Sequence, residues 1–228
     1  MNQPVLSTIG GLAVAALLPR QGAQEFARNC AIYGPGLPSD RIYQVRTGHV
    51  VINNSLDGGP PQATRILGYN DLFGESALLA SRDPRESALT LDSVQVFSWT
   101  RTEIEAHVIR DPKLGLELTR YFARCCADFN IRLEAAVFRN TGERLLLSLL
   151  QLAESLGVDT GQATRIPPLT HQLLAGYVGT SREIVTAHLT AFRRQGLLKY
   201  SRKFIDIDAP QVRKKLQLTA ARAARGAS

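Results

Sequence analysis

The sequence predicts an α+β fold in three consecutive parts: a β sandwich or barrel-like roll, one long helix, and a helix-turn-helix followed by a wing. Between about residues 31 and 100, short apolar runs alternate with turn chemistry every few residues. From Pro112 to Phe138 there is no internal proline, and apolar residues recur three or four apart. After Thr170, two short amphipathic segments meet at Gly179. The parts are expected at residues 1–110, 111–139 and 140–228.

In the first part, "IGGLAVAALLPR" has too short an apolar run for a signal peptide. It lacks a basic leader and ends in Pro19 and Arg20, so it reads as a packed N-terminal helix. "YGPGLPSD" is a loop, "RIYQVRTGHVVI" is two strands around Gly48, and "NNSLDGGPPQ" is a hairpin tip. "ATRILG", "SALTL" and "VQVFSW" are further strands.

The long helix carries Leu114, Leu118, Phe122, Cys125, Phe129, Leu133 and Val137 on one stripe. At ~1.5 Å per residue it is a rod of about 40 Å. Its own β part covers only a portion of that length, and a second copy is the economical partner, so a homodimer through 112–138 is expected. "RNTGER" then breaks the rod at Gly142, which gives a domain boundary and a hinge.

In the third part, Thr170 caps a helix that turns Leu173, Leu174, Ala175 and Val178 inward. Gly179 allows the turn, and Ser181 caps a second helix with Ile184, Val185, Leu189 and Phe192 on its inner face. Arg182, Glu183, Thr186 and His188 are left facing outward. At the start of a helix entering the major groove, arginine can fork onto guanine and glutamate can accept from the cytosine amino group. "GLLKYSRKFIDID" follows as strand, basic turn and strand, a wing whose Arg202 and Lys203 neutralise phosphates. "QVRKKL…ARAAR" reads as a basic tail, a loosely ordered solvated helix. The charge map agrees: residues 139–228 carry 14 Lys and Arg against 6 Asp and Glu, and residues 1–138 carry 13 against 14. That asymmetry directs a polyanion to the C-terminal end. The expected partner is double-stranded DNA, met by Thr170, His171, Gln172, Ser181, Arg182, Glu183, Thr186, His188, Arg202 and Lys203.

Other classes are disfavoured. No run reaches the ~18 apolar residues of a membrane span, so no membrane partner is expected. Cys30, Cys125 and Cys126 make neither a disulfide framework nor a metal pattern, which points to a reducing cytoplasm. Four thiolate ligands for an iron-sulfur cluster cannot come from three cysteines. His49 and His107 read as surface or packed residues rather than haem ligands, and Cys125 as a buried thiol. No nucleophile-base or metal-ligand pattern marks an enzyme. A rival of another class is an adaptor that contacts proteins and reads no DNA.

From about residue 20 to 210 the chain resembles the CRP/FNR family, the cyclic-AMP receptor protein and the fumarate and nitrate reduction regulator. The resemblance implies a bacterial transcription factor with a jelly-roll, cyclic-nucleotide-binding-like sensor, a dimer helix and a C-terminal winged helix. "GTSREIVTAHLTAFRRQGLL" is similar to the family's recognition helix, with Ser181, Arg182 and Glu183 intact and Ala187 where many members have a second arginine. It implies an inverted-repeat site with a G·C pair read by Arg182 and Glu183, and RNA polymerase as a partner.

"FGESALLA…PRESA" resembles the family's phosphate-binding cassette. Gly74, Glu75 and Ser76 then open a short helix facing a phosphate, Glu75 takes the ribose hydroxyl, and Arg85 pairs with the phosphate. Glu86 stands where cyclic-AMP binders have Ser or Thr, and Asp128 and Phe129 stand where hydroxyl residues reach the adenine. A one-residue slip would instead bring Ser87 to the hydroxyl position and turn Glu86 outward. No cofactor is expected, and a cyclic nucleotide ranks behind another small effector or none, because a carboxylate beside a phosphate opposes it.

Overall fold

The computed structural model describes residues 12–19, 22–37, 40–55, 59, 61–79 and 85–226. The chain forms two compact units that divide between Asp128 and Phe129.

The first unit begins with α1 (Leu12–Leu17), whose Val14 is buried, with Leu18 just beyond it; Arg20 lies outside the described residues. Eight strands follow: β1 (Gln24–Phe26), β2 (Ala31–Tyr33), β3 (Arg41–Thr47), β4 (Val50–Asn54), β5 (Gln62–Leu67), β6 (Leu72–Phe73), β7 (Glu86–Thr90) and β8 (Val94–Thr100). They make two antiparallel sheets, ordered β1-β8-β3-β6 and β2-β7-β4-β5. The expected hairpin tip between β4 and β5 falls partly outside the described residues. The core includes Val45, Val50, Ile52, Val94 and Val96, with Tyr33, Tyr43 and Phe73 stacked beside them. The other side of β3 and β8 is buried too: Ile42 and Trp99 pack with Val14, Ile104, Leu114, Leu118 and Tyr121. Both faces being covered, burial does not strictly alternate: Ile42, Tyr43, Gln44 and Val45 of β3 are all buried.

Ile104 belongs to α2 (Arg101–Arg110), which starts in a capping box of Thr100 and Glu103. The rod is α3 (Pro112–Phe138). Leu114, Leu118 and Tyr121 are buried within the first unit, whereas Phe129, Leu133, Val137 and Phe138 are 44, 64, 65 and 83% exposed in the isolated chain.

In the second unit α4 (Thr141–Leu156) starts at Asn140, whose side chain accepts from the Glu143 amide while Glu143 answers on the Asn140 amide. Gly142, expected to supply a flexible break, instead supplies a close approach: a Cβ there would lie 2.9 Å from the His188 ring. β9 (Val158–Asp159), β10 (Thr164–Ile166), α5 (His171–Val178), α6 (Arg182–Arg194), β11 (Leu198–Tyr200), β12 (Ile205–Ile207) and α7 (Ala209–Gly226) complete the unit, with sheet order β11-β12-β10-β9. Leu145, Leu149, Leu174, Val185, Leu189 and Ile207 form its centre. The basic tail is more firmly held than its composition suggests. Val212 and Leu216 of α7 are buried, and Arg213 pairs with Glu154 of α4 at 2.5 Å. From the last turns of α3, Arg132 lies 4.2 Å over the Tyr177 ring and donates to the Tyr177 carbonyl, near the end of α5.

Candidate nucleic-acid interface and effector cassette

Local capping builds the C-terminal surface. Thr170 Oγ1 accepts from the Leu173 amide at 3.1 Å, and Ser181 Oγ accepts from the Ile184 amide at 3.3 Å. Between the two helices Gly179 is left-handed (φ 73°), a conformation costly for any residue with a Cβ. Thr170 and Ser181 are therefore helix caps, and the exposed Gln172 sits in the first turn of α5.

Burial of Val185, Leu189 and Phe192 fixes the rotation of α6. The opposite face is a strip lined by Arg182, Glu183, Thr186, Ala187, Thr190, Ala191 and Arg194. Arg182, Glu183 and Thr186 thus share one exposed side, as the sequence predicts. Hydrogen bonds from the Glu183 amide and the Ser181 hydroxyl, helped by Arg182, hold the Glu183 carboxyl below its ordinary range, so it is an ionised acceptor at neutral pH.

Two residues depart from expectation. Ile184 is 43% exposed, because it precedes Val185 by one step of about 100° and falls at the edge of the apolar stripe. His188 does not face outward: lying between Val185 and Phe192 on the wheel, it stacks on Phe192 at 5.7 Å and packs over Gly142.

His171 has an inward task as well. Its Nδ1 lies 2.7 Å from Thr186 Oγ1, and that hydroxyl donates to the Arg182 carbonyl at 2.8 Å, so the imidazole is the donor of the pair. Burial, then the Arg182 charge, lowers the His171 pKa. The same ring meets Tyr200 of β11 edge-on, and Arg193 lies 5.3 Å over Tyr200. At the tip of the β11–β12 hairpin, Arg202 and Lys203 are exposed in a turn closed by the Ser201 amide on the Phe204 carbonyl. Arg165 braces that hairpin by a two-pronged bond to Asp206, at 2.6 and 2.7 Å.

The cassette of the β unit is organised around partners that sequence reading missed. Gly74 is left-handed (φ 76°), and a Cβ there would lie 2.6 Å from the Arg41 carbonyl oxygen. Glu75 opens a 3-10 turn that includes Ser76, but its carboxylate pairs with Arg65 at 2.6 Å. Arg65 also donates to the Leu72 carbonyl and the Tyr121 hydroxyl. Tyr121, from α3, both accepts from and donates to the backbone of Leu72. The inward aim of Arg65 comes from a β-bulge. Ile52 faces Arg65 while Asn53 faces Ala63, leaving Thr64 as the extra residue, so Arg65 shares the face of the buried Ile52. An arginine two residues before the buried Leu67 was the only trace of this aim, since the bulge that moves Ala63 to the other face leaves no mark in the alternation.

Residues 80–84 lie outside the described residues. Arg85 is exposed, and its carbonyl accepts from the Ser55 amide. Glu86 is the first residue of β7 and falls in phase with the buried Ala88 and Thr90; its carboxylate accepts from the Tyr33 hydroxyl at 2.6 Å. Burial, then the Glu86 charge, pushes the Tyr33 phenol far up, which keeps it a donor. This overturns the slipped alignment: Glu86 points toward the interior and Ser87 takes the other phase of the strand, opposite Asn53. Asp128 is exposed, and its charge helps raise the pKa of Asp71, which burial has already pushed up to about 6. Phe129 is exposed in the second unit.

His49 binds Asp92 through Nδ1 at 2.7 Å, and burial pushes the Cys125 thiol up, the direction opposite to thiolate activation. Among the described residues no cluster of His, Cys, Asp or Glu could hold a metal ion, and no helix is long and apolar enough to cross a membrane.

Comparison with known proteins returns two domain types. Residues 23–111 match the cyclic nucleotide-binding domain, and residues 143–212 match the Crp-like helix-turn-helix domain. The chain is 30% identical over 194 residues to the CRP-like cAMP-activated global transcriptional regulator of Mycobacterium tuberculosis, covering 85% of this chain and 87% of that one. It is 26% identical over 190 residues to the global nitrogen regulator of a Nostoc species, covering 82 and 85%. In fold it is similar to FixK2 from Bradyrhizobium japonicum, with a TM-score of 0.74 at 20% identity, covering 86% of this chain and 97% of that one. With both domain types in family order, and a relative of that identity matched over most of its length, the chain belongs to the CRP/FNR family of DNA-binding transcription regulators.

Proposed function

We propose that the chain works as a homodimer that reads an inverted repeat, with one α6 in the major groove of each half-site. The observation that carries this reading is the first turn of α6, where a capped helix start presents exposed Arg182 and ionised Glu183 side by side on the basic half of the chain. Arg182 forks onto guanine, Glu183 accepts from the paired cytosine, and Arg202 and Lys203 meet phosphates. The dimer forms along 112–138, where Phe129, Leu133, Val137 and Phe138 offer an apolar surface to a second copy. The regulator acts in the cytoplasm, through RNA polymerase, with no catalytic step of its own.

The M. tuberculosis relative is described as cAMP-activated. For this chain we infer an effector other than cyclic AMP, or none, because the cassette's carboxylates serve the protein itself: Glu75 holds Arg65 and Glu86 holds Tyr33. Native mass spectrometry followed by selection from random DNA tests the first reading. A dimer enriching a palindrome with half-site centres about 10 base pairs apart is expected, with affinity falling steeply as salt rises. Enrichment of nothing, with salt-insensitive binding to other proteins, would favour the adaptor. A thermal-shift screen tests the second reading, and a nanomolar response to cyclic AMP would overturn it.

A further inference from the structure

Thr186 lies one helical turn beyond Arg182 on the exposed strip of α6, so its chemistry decides what the reader sees next to the G·C pair. A threonine can offer a hydroxyl or a methyl. Here the hydroxyl is engaged within the protein on both sides: it donates to the Arg182 carbonyl at 2.8 Å and accepts from His171 Nδ1 at 2.7 Å. With Oγ1 tied to α5 and to its own helix, χ1 is fixed, and the methyl is the group left for an outside partner. The neighbour Ala187 adds only another methyl. In the major groove one base alone carries a methyl, thymine at C5.

We propose that Thr186 is a specificity-determining residue that packs its methyl on a thymine methyl, and that His171 is its positioning residue. This rests on the reading of α6 as the major-groove element. Four residues of helix advance by about 6 Å, so the thymine lies one or two base pairs from the pair read by Arg182 and Glu183. His171, expected from the sequence to touch DNA directly, then acts through Thr186.

The test uses the full-length protein and the palindrome it enriches from random DNA. Each half-site thymine is replaced in turn by uracil, which removes the 5-methyl and leaves the hydrogen-bonding edge intact. Wild type is expected to bind about three- to fivefold more weakly when one particular thymine, within two base pairs of the G·C pair, is changed. Thr186→Ser, which keeps both hydrogen bonds, abolishes that ratio, and Thr186→Val, whose branched side chain the helix itself holds in one rotamer without those bonds, preserves it. His171→Ala lowers the ratio toward one without altering the salt dependence. An unchanged ratio in Thr186→Ser, or no thymine sensitive to the substitution, overturns the proposal, and a shallower salt slope in His171→Ala makes that residue a phosphate contact instead. If no sequence is enriched at all, the major-groove reading itself has failed.

Discussion

The two ends of the chain treat polar side chains in opposite ways. On α6 the charged groups lie outward on a helix whose apolar stripe is fully packed. In the β cassette the corresponding groups turn inward: Glu75 to Arg65, Glu86 to Tyr33, Arg65 to the backbone of Leu72. A surface that must meet a varied partner keeps its polar groups solvated and available. A site whose groups are bonded to one another gains rigidity. The contrast is one of orientation: α6 presents its charged groups to solvent, while the cassette carboxylates are bonded to partners within the β unit.

Breaking the inward network should have the largest effect. Arg65→Ala leaves Glu75 without its partner and takes from the Leu72 carbonyl one of its two donors, and we expect it to lower the unfolding free energy by about 3 kcal/mol, measured by chemical denaturation. Arg65→Lys should rescue little, because an ammonium cannot span the same three acceptors. On the outward side, Arg182→Ala should cost about 1 to 3 kcal/mol against the selected site and relax preference at one base pair, measured by competition binding. An equal loss on every sequence would remove Arg182 from base readout.

Asp71 sharpens the comparison through pH. Burial pushes its carboxyl from 3.8 up to about 6, opposed by the Gly68 amide and Arg65 and assisted by Asp128. The folded chain therefore holds the proton more tightly than the unfolded chain. This contribution to stability is complete below the unfolded value and is lost as pH rises through about 6. Asp71→Asn should flatten the stability difference between about pH 4 and pH 7 by roughly 2 kcal/mol, read from denaturation midpoints. The smallest effect belongs to the wing: Arg202→Ala and Lys203→Ala should each reduce the log-log salt slope of DNA binding by about 1 while leaving base preference intact.

The reader was legible because its determinants are local. Thr170, Gly179 and Ser181 act within four residues of themselves, and the apolar spacing of Val185, Leu189 and Phe192 fixes which face of α6 is left outside. His188 was misread because its role depends on the close approach of Gly142, from another helix. The strands and the long helix were legible from period and punctuation, but not that β3 and β4 enter different sheets. The cassette resisted most. Tyr33 meets Glu86 across 53 residues and Arg65 meets Tyr121 across 56, and the aim of Arg65 depends on a bulge that alternation alone does not mark.

The contact of Arg132 with Tyr177 bears on how motion could pass along the chain. The joint at residues 139–144 is flanked by that stacked guanidinium and held by the Asn140–Glu143 box and by the histidine ring seated on Gly142. Those contacts tie the last turns of α3 to α5 and the start of α4 to α6, so the rotation of α6 about its axis is set by packing on both sides of residues 139–144.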